Sequence, residues 1–353
     1  MTSTATDEAA TRRALLEQGR AAGQFSGAAW SFGDADGPRD RGWTGTRAHG
    51  GAPLDGTDLW DLASVTKPIV GLVVLALVER GVLGLDDTVG RHLARYRDSP
   101  HADRTLAQLL DHTSGLPGGV PLYRDHPTRE SLLDAIGTLP RNSAPGTHVA
   151  YSSQGFILLG LVAEQATGQG LDQLTAELVS APLGLSDLCF RPGPAARKRA
   201  VATEDCPWRG HTVVGQVHDE NAVVLGEVAG HAGLFATLAD LERLAAALLA
   251  GGPPLLKPDT LALMTAPRTD RLNLRRALAW QGRDPVGSPV GDMFGPASYG
   301  HTGFTGTSLW LDPEAGRYAI LLTNRVHPDR EERGFAALRR AVHGISADPR
   351  PVP

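Results

Sequence analysis

The longest apolar run in the chain, residues 68–78, restricts what the chain can become. It is about half the roughly 20 residues that a membrane-spanning helix needs, so it predicts a helix enclosed by protein and not a membrane anchor. A chain of 353 residues is long enough to supply that enclosure, as one large unit or two interleaved subdomains with an ample apolar core. Pro68 is tolerated because it falls in the first turn, where its missing N–H has no intrahelical partner. Gly81 then ends the helix.

Strand-like segments lie toward both ends of the chain. Residues 27–32 and 41–44 flank the turn-rich stretch Gly33-Asp34-Ala35-Asp36-Gly37-Pro38, which predicts a hairpin. Residues 306–311 and 318–323 flank Asp312-Pro313-Glu314-Ala315-Gly316 and predict a second, antiparallel one. Between them run helical stretches at 129–139, 154–167, 171–179 and 238–249. A polar lead with an amphipathic helix opens the chain, and a helix from about 329 to 342 closes it. The simplest assembly is an α+β (α/β) fold. Residues 1–104 and 250–353 form an antiparallel sheet flanked by helices, 105–249 an inserted mainly helical subdomain, and a cleft with Ser64 lies between them.

A net charge of −5 with scattered arginines offers no basic stripe, which argues against a nucleic-acid partner. The two cysteines, Cys189 and Cys206, are too few for a disulfide framework and lack zinc-ligand spacing; two thiols are expected, with a bridge as the alternative. The N-terminus has no apolar export segment, so the expected location is the cytoplasm, without membrane attachment.

A serine hydroxyl needs a base within reach and a site that stabilises the oxyanion formed on attack. In Ala63-Ser64-Val65-Thr66-Lys67 the serine opens the predicted helix and the lysine follows three residues on, which places both on one helical face. Burial among apolar neighbours favours the neutral amine, which can then take the serine's proton. Ser-X-X-Lys alone recurs by chance. Here it is joined by Tyr151-Ser152-Ser153 before a helix and by Gly300-His301-Thr302-Gly303 entering the C-terminal hairpin.

With these three elements the chain resembles the serine β-lactamase and penicillin-binding protein superfamily, in its class C β-lactamase-like branch with family VIII esterases. Leu110-Asp111-His112-Thr113-Ser114-Gly115-Leu116, Cys206-Pro207-Trp208-Arg209-Gly210 with Val217-His218-Asp219-Glu220-Asn221-Ala222, and Gly230-His231-Ala232-Gly233-Leu234-Phe235 fit the same pattern. The resemblance implies that Ser64 is the nucleophile and that Tyr151 shares acid–base work with Lys67. It also implies that the backbone N–H groups of Ser64 and Phe304 form the oxyanion hole. Substrate would meet Ser153, His301, Thr302, Gly303 and Phe304, and no metal or cofactor would be needed.

Two positions depart from the family. Ser153 stands where an asparagine is usual and lacks the amide's paired donor and acceptor. His301 stands where a lysine is usual, and an ordinary imidazole is mostly neutral at pH 7. Both changes predict a weaker anion anchor and neutral or differently shaped acyl donors, rather than a β-lactam or D-alanyl-D-alanine tail. The expected partners are a small-molecule acyl donor and water, an amine or an alcohol as acceptor. Asp111 and Asp219 could orient a histidine, but Ser64 lacks the Gly-X-Ser-X-Gly elbow, which leaves lysine and tyrosine as the better partners. His112, His218 and His231 share no metal spacing and are expected in turns and loops. Trp208 and His211 are read either as cleft residues or as plain packing.

Overall fold

The computed structural model describes residues 2–345, with side chains from Asp7 onward. Six strands, β1 (Gly27–Asp34), β2 (Gly37–Gly45), β3 (Gln281–Gly282), β4 (Tyr299–Thr302), β5 (Ser308–Asp312) and β6 (Arg317–Thr323), form one sheet in the order β2-β1-β6-β5-β4-β3. Every neighbouring pair is antiparallel. Both expected hairpins are present, and β1 joins the two ends of the chain by pairing Ala28 with Thr323 and Phe32 with Ala319.

Alternation along the strands decides the layers. Ala28, Trp30, Phe32, Trp310, Ala319 and Leu321 face one side and bury Leu16, Phe335 and Val342 of the helices α1 (Thr2–Ala21) and α5 (Phe335–His343). Ala29, Leu309, Leu311, Tyr318, Ile320 and Leu322 face the other side and join the main core. That core contains the apolar face of α4 (Leu238–Leu249), a helix that packs on the sheet. Each such Leu or Phe contributes roughly 1.5–3 kcal/mol through its removal from water.

The apolar run folds as α2 (Thr66–Glu79), in which every residue from Thr66 to Leu77 is buried, as its composition requires. It packs against α3 (Ser153–Thr167) among the short helices of the middle of the chain. Three pieces of strand, Trp60–Asp61, Leu234–Ala236 and Cys189–Phe190, form a small second sheet, and Ala202–Cys206 pairs with His211–Val214. Cys189 and Cys206 are free thiols. No helix among the described residues is long and apolar enough to cross a membrane.

The final helix starts later than the sequence suggests, at Phe335 and not near 329. Arg333 and Gly334 both adopt positive φ, 45° and 77°, which no α-helix accommodates. Asp329 instead binds the Arg333 guanidinium at 2.7 Å, closing a loop.

Candidate active site

Ser64 does not sit in the α-helix itself. It occupies a single 3₁₀ turn, Ala63–Val65, directly before α2, and Ala63 is held at φ +46°. That conformation costs a non-glycine residue energy, and the surroundings fix it. The buried Asp61 carboxylate accepts from the Ala63 N–H at 2.7 Å, and the hydroxyls of Thr305 and Thr307 donate to the carbonyls of Asp61 and Leu62. The turn is therefore clamped from the loop between β4 and β5.

Gly303 makes that approach feasible. A Cβ there would lie 2.0 Å from Thr307 Oγ1 and 2.5 Å from the Leu62 carbonyl oxygen. The Gly303 N–H donates to Thr307 O at 2.7 Å, and the next N–H, that of Phe304, makes no hydrogen bond to the protein among the described residues. The Phe304 ring is partly exposed, stacked on His218 at 5.7 Å and covered by the Arg325 guanidinium at 4.6 Å.

Lys67 is fully buried one helical turn after Ser64. Its Nζ donates to Ser64 Oγ at 3.1 Å and to the backbone carbonyl of His231 at 3.0 Å, and lies 4.8 Å from the centre of the Tyr151 ring. The Tyr151 hydroxyl is buried with no hydrogen-bond partner among the described residues. Ser64, Tyr151, His301, Thr302, Gly303 and Phe304 line one cleft of about 410 Å³. A serine, a lysine in contact with it, a tyrosine and an unengaged N–H at one cleft are the parts needed to open an acyl bond.

The other expected residues divide. Ser153 begins α3 without a hydrogen bond to Lys67, while its neighbour Ser152 caps that helix through the Gly155 N–H. His112 lies behind Tyr151, ring centres 4.7 Å apart, and its Nδ1 accepts the Ser152 N–H at 3.1 Å; burial drives its pKa well below the ordinary value. His231 donates from Nε2 to Asp219 at 2.9 Å, and the Asp219 carboxyl is held below the usual range by His231, against the effect of burial. Asp111 is engaged by Thr113 and Arg268. Trp208 and His211 line a separate cavity with Arg209 and Gln216 and do not reach the Ser64 cleft.

Glu204, Cys206 and Glu220 bring three potential metal ligands within 4.8 Å of one another. Arg330 already forms ion pairs with both glutamates, and His218 donates to Glu204 at 2.7 Å, so the cluster is compensated by the protein's own charges.

His301 is neutral, as expected, although its environment enforces this more strongly than an exposed imidazole would show. Burial, with Lys67 nearby, pushes it down to about 3, and its Nδ1–H donates to the Thr302 carbonyl. The His301 position therefore supplies no cation, but other parts of the cleft do. Arg276, Arg325 and Arg339 line it together with Ser64. Each lies in a stretch with no motif, on loops or on α5, so only the packing of the chain reveals their convergence.

The antiparallel sheet with helices inserted between its ends is the β-lactamase and transpeptidase class of fold. The chain belongs to the β-lactamase family, whose sequence profile, described as Beta-lactamase, matches residues 12–343. It is 32% identical over 304 residues to a putative D-alanyl-D-alanine carboxypeptidase of Escherichia coli strain K12, covering 76% of this chain and 69% of that one. It is 31% identical over 305 residues to an N-acetylmuramyl-L-alanine amidase of Bacillus subtilis strain 168, covering 76% and 68%. Among solved structures, EstCE1, a hydrolase with promiscuous acyltransferase activity, superposes with a TM-score of 0.78 at 21% identity, over 96% of this chain and 99% of that one. The LovD6 mutant of simvastatin synthase from Aspergillus terreus superposes with a TM-score of 0.75 at 23% identity, over 97% of this chain and 95% of that one.

Proposed function

We propose that the protein is a serine acyl-enzyme catalyst of the class C β-lactamase-like type. It opens an ester, amide or thioester and passes the acyl group to water, an amine or an alcohol. The observation that carries this reading is the 3.1 Å contact between Lys67 Nζ and Ser64 Oγ, with Tyr151 in the same cleft. Lys67, which shares the acid–base work with Tyr151, accepts the single serine proton as Oγ bonds to the carbonyl carbon. The N–H groups of Ser64 and Phe304 hold the oxyanion, and the leaving group departs with the proton. The acceptor then releases the acyl group from Ser64 and regenerates the hydroxyl. Hydrolysis and transfer share every step but the last, and exclusion of water from the cleft selects between them.

The test is intact-protein mass after exposure to activated esters, thioesters and β-lactams, comparing wild type with Ser64→Ala and chasing each adduct with water or an amine. A Ser64-dependent adduct that an amine clears faster than water identifies a transacylase, and faster clearance by water a hydrolase. An equal adduct on Ser64→Ala sinks the assignment, and no adduct with any donor favours a non-catalytic binding protein on this fold.

A second reading, a D-alanyl carboxypeptidase or β-lactamase, draws support from the name of the Escherichia coli relative and from the arginines of the cleft. Rapid acylation by β-lactams in the same experiment would select it.

A further inference from the structure

Three guanidiniums, those of Arg276, Arg325 and Arg339, and a single carboxylate, that of Glu332, line the Ser64 cleft. Both Glu332 oxygens accept backbone N–H groups, from Gly334 and Ala336, at the start of α5. With His301 neutral, the lining is left with an excess of two positive charges.

Arg339 is the most exacting of the three. Only 9% of it is exposed, its Nε is buried without a partner, and it makes no ion pair among the described residues. Its guanidinium lies 4.9 Å over the Phe335 ring. Burial, and then the neighbouring charge of Arg325, draw it down to about 10, so it remains a cation at neutral pH. Arg325 stacks on Phe304 and likewise has no ion-pair partner among the described residues. Glu332 is the one carboxylate whose charge favours both cations, it already accepts two backbone N–H groups, and it ion-pairs with neither, so a buried Arg339 beside a half-buried Arg325 is costly in the free protein. Their planar forks match the oxygens of phosphate or carboxylate, and a phosphate monoester carries close to two negative charges at neutral pH.

We infer that the substrate carries, away from its reacting carbonyl, a doubly charged oxyanion of the phosphate-monoester kind, seated between Arg325 and Arg339. The seat lies on the α5 side of the cleft, apart from the third-motif position occupied by His301. The inference rests on the acyl-enzyme reading for the bond that breaks, but the seat itself can be tested without catalysis.

Calorimetry with phenyl phosphate and benzoate on the intact protein reads the seat directly. Wild type is expected to bind phenyl phosphate more tightly than benzoate, and Arg325→Gln or Arg339→Gln to weaken that binding about tenfold or more, the loss of one charge-assisted contact. A kinetic series of p-nitrophenyl esters of equal chain length, ending in methyl, carboxylate or phosphonate, is expected to show kcat/KM rising in that order. The preference for phosphonate over methyl should shrink in Arg325→Gln. Equal phenyl phosphate binding by wild type and Arg325→Gln, or a methyl ester turned over as well as the phosphonate, overturns the inference. A carboxylate bound as tightly as phosphate overturns the double charge. If no ester reacts while phenyl phosphate binding still depends on Arg325, the seat stands and the acyl-enzyme reading falls. Should Arg339→Gln not fold, Arg325→Gln and the wild-type ester series decide.

Discussion

Lys67 is tied to His231 across 164 residues of chain, its Nζ donating to the His231 carbonyl at 3.0 Å. The amine thus has a fixed position relative to Ser64 that the helix alone would not impose. The His231 ring is anchored in turn by the Asp219 carboxylate, which also caps the short helix beginning at Glu220. Asp219→Asn should let this segment shift and lower the acylation rate by about 10- to 100-fold, the usual consequence of a misplaced catalytic group. Stopped-flow acylation is expected to show kcat falling with KM little changed; a change confined to KM would reject this positioning role.

On the proposed mechanism, Ser64→Ala should abolish adduct formation, and Lys67→Ala or Tyr151→Phe should each reduce turnover by about 10³-fold or more, because that mechanism uses the three as a unit. Steady-state kinetics on folded variants, with circular dichroism as control, checks this. Near wild-type rates in Tyr151→Phe would remove the tyrosine from the proton pathway.

Gly303→Ala tests the oxyanion strand, which no side-chain deletion can reach. The added methyl collides with Thr307 Oγ1 and the Leu62 carbonyl, so β4 must withdraw from the Ser64 turn. A loss of about 1–3 kcal/mol in stability, from urea unfolding, should accompany at least a tenfold fall in acylation. Full acylation in a destabilised variant would show that the Phe304 N–H is not needed.

Acid should destabilise the fold through buried imidazoles. His343 is pushed down to about 3 by burial and by Arg339, and His301 to about 3 by burial and Lys67. In the unfolded chain both would take up a proton near pH 6.5. Stability is therefore unaffected above that pH and falls as pH drops from about 6.5 toward 3, at about 1.4 kcal/mol per pH unit for each group. Unfolding midpoints measured from pH 7 to 5 should decline, and less steeply in His343→Gln. The pH–rate profile should show no step near 6.5 from His301.

The elements readable in advance were those with local causes. Both terminal hairpins announce themselves by alternation around turn residues, and the run ending at Val78 could only be a buried helix. The 3₁₀ turn at Ser64 and the late start of α5 are not legible in the sequence because they depend on positive φ at Ala63 and Arg333, residues that disfavour it; Thr305 and Thr307 hold the first turn from far along the chain, and Gln24 donates to the Arg333 carbonyl at the second. The cleft arginines are not legible there for a related reason. Arg276 and Arg339 stand in unremarkable stretches and matter only through what surrounds them.

The sequence by itself determined the spacing of Ser64 and Lys67, because one helical turn brings residues three apart onto one face, and it determined the two-sided sheet through its period of two. Tertiary structure decided the charge of the site. Whether His301 holds a proton, and whether a guanidinium meets a carboxylate or faces an open cleft, depends on burial and on neighbours far along the chain, which local spacing does not encode.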